Sequence, residues 1–184
     1  ALEVRKLVVP EIAKYGSVRG FSLIAPKERE EYFGDVYCTK YLGSFASLAQ
    51  AQRHRTTNYE LKELEKPLYY VPKIIRENEA LRQEWLNDMQ KVKDVTPQGK
   101  MVEIIERGTP ENFILKMRER LCTCAQLEIQ EQTKHTLEKY INQVKDEQTK
   151  KVLEQYNHGA RCTAGYKCTS PCGFKEGVEM TREI

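Results

Sequence analysis

The chain has 184 residues, of which 40% are hydrophobic and 31% charged, with a formal net charge of +3 and a pI of about 8.5. That is enough for one compact α+β domain with its own core, and the charge is too mild to indicate nucleic-acid binding. No segment approaches the ~20 apolar residues of a bilayer-spanning helix, and Ala1 to Lys14 lacks the apolar core of a secretory leader, so no membrane partner and a cytoplasmic location are expected.

In chain order, Ala1 to Tyr15 reads as a short helix stopped by Gly16, and the chain opening on Ala is expected of a processed protein or a fragment. Val18 to Ile24, with Val18, Phe21, Leu23 and Ile24, reads as a strand. Lys27 to Glu31 is charged and expected at the surface. Val36 to Tyr41 alternates like a strand, with Gly43 as its break. From Ser44 the pattern turns helical, with Phe45, Leu48 and Ala49 on one face, and the helix is expected to reach His54 or Arg55. Tyr69 to Val71 reads as extended ahead of Pro72. Ile75 to Lys93 carries Leu81, Trp85, Met89 and Val92 at helical spacing, and Pro97 closes that region. Thr109, Pro110 and Glu111 form a helix start, with an N-cap, a proline at the first position and an acid in the first turn. Ile114, Met117, Leu121 and Cys124 continue as an apolar stripe. The helical pattern then runs, with a break, through Leu137, Tyr140, Ile141 and Val144 toward Tyr156, and Gly159 is its expected stop. Residues 160–184 form a Cys- and Gly-rich tail without periodicity. We read 1–184 as a single domain.

On the helix expected from Ser44, Gln50, Arg53 and His54 stand at i, i+3 and i+4, with Arg55 next. Two guanidiniums and an imidazole gathered together suit an anion, because arginine grips phosphate through paired charge-assisted hydrogen bonds. An amide such as Gln50 suits a heterocycle. A solvated basic helix end is the plainer alternative, since cations favour the negative pole of a helix. Arg118 and Arg120 flank the later apolar stripe, and each reads either as a ligand contact or as a snorkelling arginine paired with Glu111, Glu119 or Glu128.

Taken together these residues resemble the flavin-dependent thymidylate synthase (ThyX) family. Gln50-Ala51-Gln52-Arg53-His54-Arg55 looks like its Gln-x-x-Arg-His-Arg signature. Arg120-Leu121-Cys122-Thr123-Cys124-Ala125-Gln126-Leu127-Glu128-Ile129 looks like its Arg-(four residues)-Ala-Gln-Trp-Glu-Ile segment. The resemblance covers most of the chain from Val36 onward. It implies a ThyX-like fold, helix-rich with a small, mostly antiparallel sheet, assembled as a homotetramer. It implies conversion of dUMP to dTMP with FAD as cofactor and methylenetetrahydrofolate and NADPH as co-substrates. Carried over by position, Arg53, His54, Arg55 and Glu60 hold FAD, and Gln50, Arg53, Lys93 and Arg120 hold dUMP. Arg120 is the catalytic residue, a cation beside the pyrimidine where negative charge develops.

The chain departs from the family pattern at Thr56-Thr57-Asn58-Tyr59-Glu60-Leu61-Lys62-Glu63, where Ser-x-Asn-Glu-x-Ser-x-Arg-Tyr is usual, and Glu60 fits only with one residue deleted. Lys93 stands for an arginine, and Thr109, Glu111 and Leu115 stand where flavin contacts often lie. These departures suit a second expectation: a catalytically degenerate member that binds FAD or nucleotide, or one half of a tandem protein completed by a homologous partner domain. The cysteines at 38, 122, 124, 162, 168 and 172 are expected as reduced thiols, with Cys38 packing in its strand. The tail spacing C-x₅-C-x₃-C fits no standard zinc ribbon, and Cys122 and Cys124 on one helix point about 200° apart, so no metal site is assigned. A zinc-stabilised RNA-binding module is the remaining and weakest reading.

Overall fold

The computed structural model describes residues 3–6, 37–55, 57–108, 110–122, 124–145 and 147–157. They form a four-stranded antiparallel sheet and six α-helices: an α+β arrangement, as the residue pattern implies. The strands are β1 (Glu3–Lys6), β2 (Tyr37–Ser44), β3 (Asn58–Lys62) and β4 (Met101–Gly108), in the order β1-β2-β4-β3. The helices are α1 (Phe45–Ala51), α2 (Lys73–Arg76), α3 (Glu79–Lys91), α4 (Pro110–Arg120), α5 (Leu127–Gln143) and α6 (Glu147–Glu154). No helix among the described residues is long and apolar enough to cross a membrane.

Register decides which side chains meet the helices. Thr39 pairs with Glu106, Tyr41 with Ile104, Gly43 with Val102 and Tyr59 with Glu106, so these residues share one face. Along β4, Val102, Ile104 and Glu106 are buried and their neighbours are half-buried. On the opposite face Lys40 pairs with Glu103 at 3.2 Å and Arg107 with Glu60 at 3.6 Å. The main apolar cluster lies between helices, with Phe113, Ile114, Met117 and Leu121 from α4 and its end packed on Leu137, Tyr140 and Ile141 of α5 and on Leu153 of α6. Phe113 and Tyr140 meet edge to face, 5.1 Å between centroids.

Several sequence expectations need correction. Residues 3–6 are a strand, not part of a helix: Glu3, Val4 and Lys6 pair with Lys40, Thr39 and Cys38 of β2. The rest of 1–15, the strand expected at Val18 to Ile24 and the tail 160–184 lie outside the described residues. Gly43 does not break β2 but sits inside it. A Cβ there would come 2.9 Å from Ile104 Cδ1 and 3.5 Å from the Tyr41 ring, so the glycine lets those two side chains close over the strand. Ile75 to Lys93 is not one helix, because α2 ends at its C-cap Glu77 and Asn78 caps a new helix, α3, by accepting from Leu81 N at 3.1 Å. Strands β3 and β4 were not expected. Tyr69, expected to be extended, bridges Lys100. Pro97 does follow the end of the helical region, after the 3₁₀ turn Lys93–Val95 and Thr96, whose φ of 50° is left-handed.

Candidate functional site

Strand β2 runs straight into α1 at Ser44. Its hydroxyl accepts from Ser47 N at 3.1 Å, which satisfies one of the helix's orphan donors. Ser44 also donates its backbone N–H to Glu128 Oε1 at 2.7 Å and its hydroxyl to Glu128 Oε2. The first turn of α5 is thereby fastened to the start of α1. Burial raises the Glu128 pKa, and the Ser44 hydrogen bonds oppose that rise.

Helix α1 stops at Ala51, earlier than its periodicity suggests. Arg53 N then bonds Gln50 O at 3.4 Å, His54 N bonds Ala51 O at 3.0 Å and Thr57 N bonds His54 O at 3.0 Å. Gln50, Arg53 and His54 therefore do not share a helix face. They lie along a helix end that unwinds into tight turns, where Arg53 and Arg55 are exposed while His54 and Thr57 turn inward. The apolar contact of Ala51 with Ala125 and Ile129, backed by Tyr59, holds this turn against the start of α5. Tyr59 donates its phenol to Ala51 O at 2.7 Å.

The second motif arrives from α4. Arg120 is the last residue of that helix, and its Nε lies 3.0 Å from His54 Nε2, joining positions 66 residues apart. A guanidinium has only donors, so His54 Nε2 must accept, and the ring is neutral with its proton on Nδ1. Burial and then the charge of Arg120 lower the His54 pKa to about 4. Burial also lowers the Arg120 pKa; the charge of Glu119 opposes this and that of Arg53 adds to it, so the two arginines feel one another. A second link joins the motifs where Gln126 N approaches Gln50 Oε1 at 3.4 Å. Among the described residues, no carboxylate forms an ion pair with Arg53, Arg55 or Arg120. Thr57, two residues past Arg55, is buried, and its side chain lies against the Tyr59 phenol.

The structure thus brings together Gln50, Arg53, His54 and Arg120, with Arg55 one residue away. It places the other two candidates elsewhere. Glu60 lies on β3, exposed, on the sheet face opposite Tyr59, where its carboxylate meets Arg107. Lys93 opens the exposed 3₁₀ turn after α3. Arg118 instead meets Tyr156: its Nη2 donates to Tyr156 Oη at 3.3 Å, and the guanidinium carbon stands 5.8 Å from the Tyr156 ring.

Cys122 and Cys124 follow the end of α4 rather than lying on it. Cys122 is buried and Cys124 exposed, which takes Cys124 off the apolar stripe, while Cys38 is buried as expected. Among the described residues no group of three or more His, Cys, Asp or Glu is arranged to hold a metal ion. The residues that sequence reasoning missed are Glu106 and Lys116, a fully buried ion pair at 2.6 Å, and Ser44 with Glu128. The first pair had a signal: Glu106 continues the inward parity of Val102 and Ile104, but only if the strand is recognised. No family model and no curated protein matches this chain.

Proposed function

We propose that this chain is a cytoplasmic protein of the flavin-dependent thymidylate synthase kind, with a ThyX-like fold. It binds FAD and dUMP and forms dTMP with methylenetetrahydrofolate and NADPH, as a homotetramer. The observation that carries this reading is the Arg120–His54 hydrogen bond, because it joins the two motifs of the resemblance into one cationic cluster. Among the described residues no carboxylate ion-pairs with these guanidiniums, and such a cluster suits a ligand that brings its own negative charge, as the phosphates of dUMP and FAD do. The residues present therefore fit both groups in charge and donor type.

In this reading Arg53 and Arg55, both exposed, bind the flavin phosphates. Gln50 offers an amide to the pyrimidine. Buried His54 stays neutral near pH 7 and holds Arg120 by its Nε, which leaves the Nη groups of Arg120 to face the ring and stabilise negative charge on it. Bound flavin would supply hydride transfer, which no side chain provides. Glu60 and Lys93, placed apart from the cluster, serve only if a neighbouring copy brings them to it.

A second reading is supported by one observation. Residues 58–62, where the family pattern has its phosphate-binding loop, are paired as a strand with β4, and Glu60 is paired with Arg107. That favours a member that binds FAD or nucleotide without turnover, or one completed by a homologous domain. The visible absorption spectrum of the purified chain tests both readings. A flavin spectrum, or its appearance on titration with FAD, is expected, and a colourless protein that takes up neither FAD nor dUMP in calorimetry removes both. Tritium release from labelled dUMP then separates them. If turnover is seen, Arg120→Lys is expected to lower it by about 10²–10³-fold, because lysine keeps the charge but not the planar donor fork.

A further inference from the structure

Helix α4 carries three long cations, Lys116, Arg118 and Arg120, and the first and last of them concern the sheet and the motif turn. Four residues apart, they lie about 40° apart around the axis and one turn apart along it. Lys116 is held from three sides. Its Nζ lies 2.6 Å from Glu106 Oε2 on β4, where the two side chains are 2% and 1% exposed. It stands 5.1 Å from the centroid of the Tyr41 ring on β2 and donates to Gln132 Oε1 on α5 at 3.3 Å. Tyr41 donates its phenol to the same Glu106 oxygen at 2.8 Å, and in register Glu106 lies between Thr39 and Tyr59.

The apolar stripe of α4 cannot define its placement alone, because apolar burial is non-directional and tolerates small rotations and slides. A buried ion pair is different. Any displacement leaves a charge uncompensated where water is excluded, so its tolerance is narrow. One turn further on, Arg120 must present Nε to a buried imidazole at 3.0 Å. We propose that the Lys116–Glu106 pair is the positioning element of the site, fixing the rotation and level of α4 on the sheet so that Arg120 stands against His54. Its meaning for ligands rests on the reading given above, but the geometry it controls is testable on the ligand-free chain.

The experiment is nitrogen-15 NMR of the full chain without FAD or dUMP, following the His54 ring and the exchange of the Arg120 Nε proton. In the wild type His54 is expected as the Nδ1–H tautomer, with a slowly exchanging Arg120 Nε–H. The double variant Lys116→Met/Glu106→Leu removes both charges together and leaves only the neutral Tyr41 phenol without its acceptor, a smaller cost than an uncompensated buried charge, so it is expected to fold. Its Arg120 Nε–H is expected to exchange at least tenfold faster, with a mixed His54 tautomer. Lys116→Arg, which retains the pairing, is expected to restore slow exchange. Glu106→Asp keeps the charge but shortens its reach by one methylene, is expected to fall between, and serves if the double variant does not fold. A folded double variant, or Glu106→Asp, that matches the wild type in both exchange and tautomer overturns the proposal. Failure of the chain to take up FAD leaves this proposal standing while removing the functional reading.

Discussion

Helices α3 and α4 are of similar length, and both carry apolar residues at helical spacing, yet they end in opposite environments. Phe113, Ile114 and Met117 of α4 are at most 3% exposed, whereas no residue of α3 is buried and Leu81 is 44% exposed. Helix α3 is held by local devices: the Asn78 cap, the Glu79–Arg82 and Asp88–Lys91 pairs, and the Trp85 indole donating to Tyr70 O at 2.9 Å. Exposed pairs of that kind contribute only a few tenths of a kcal/mol each. An apolar stripe therefore specifies that a segment coils and which side it turns inward. Whether anything covers that side depends on what the rest of the chain places opposite.

The contrast is easiest to break at Phe113. Phe113→Ala should cost about 3–5 kcal/mol in denaturant unfolding, because the ring packs edge-on against Tyr140 in a closed cluster. A loss below about 1 kcal/mol would mean that the α4 cluster is no better packed than α3.

The next largest effect is acid sensitivity at the motif turn. The His54 pKa is lowered to about 4 from an unfolded value near 6.5, so between those values the unfolded chain binds more protons. His54 thus contributes stability that is present above about pH 6.5 and lost as pH falls toward 4. The change is roughly 3 kcal/mol at most. Comparing unfolding midpoints of the wild type and His54→Gln across that window isolates the contribution of His54. Parallel pH curves would show that the imidazole is not held neutral.

Gly43→Ala sharpens the comparison within the sheet. The added methyl meets Ile104 Cδ1 at 2.9 Å and must push aside a side chain that is itself fully buried, so a loss of about 1–2 kcal/mol is expected. The smallest effect belongs to α3: Leu81→Ala should change stability by no more than about 0.5 kcal/mol. A loss of several kcal/mol in concentrated solution, shrinking on dilution, would show that another copy covers this face.

Much of the local structure was legible in the residues. Ser44 as a helix start, β2 before it, and a helix opening at Pro110 follow from capping, alternation and fixed φ, all of which act within a few positions. Strands β1, β3 and β4 were not legible. Val4 pairs with β2, 35 residues away in sequence, the run Glu60, Leu61, Lys62 carries two charges in three residues, and β4 places Glu106 at an inward position. Each becomes a strand because a partner far along the chain completes its hydrogen bonds.

The site divides the same way. Sequence named Arg53, His54, Arg55 and Arg120 as residues whose chemistry suits an anionic ligand, and Gln50 as one that suits a heterocycle, because donor type and charge belong to the side chain itself. Only the tertiary structure decided that His54 is neutral, that Arg120 leans on it, and that Lys116 and Glu106 are sealed together beneath them. Charge state and pairing depend on dielectric and on neighbours 10 to 66 residues away, and both arise only when the chain has closed around them.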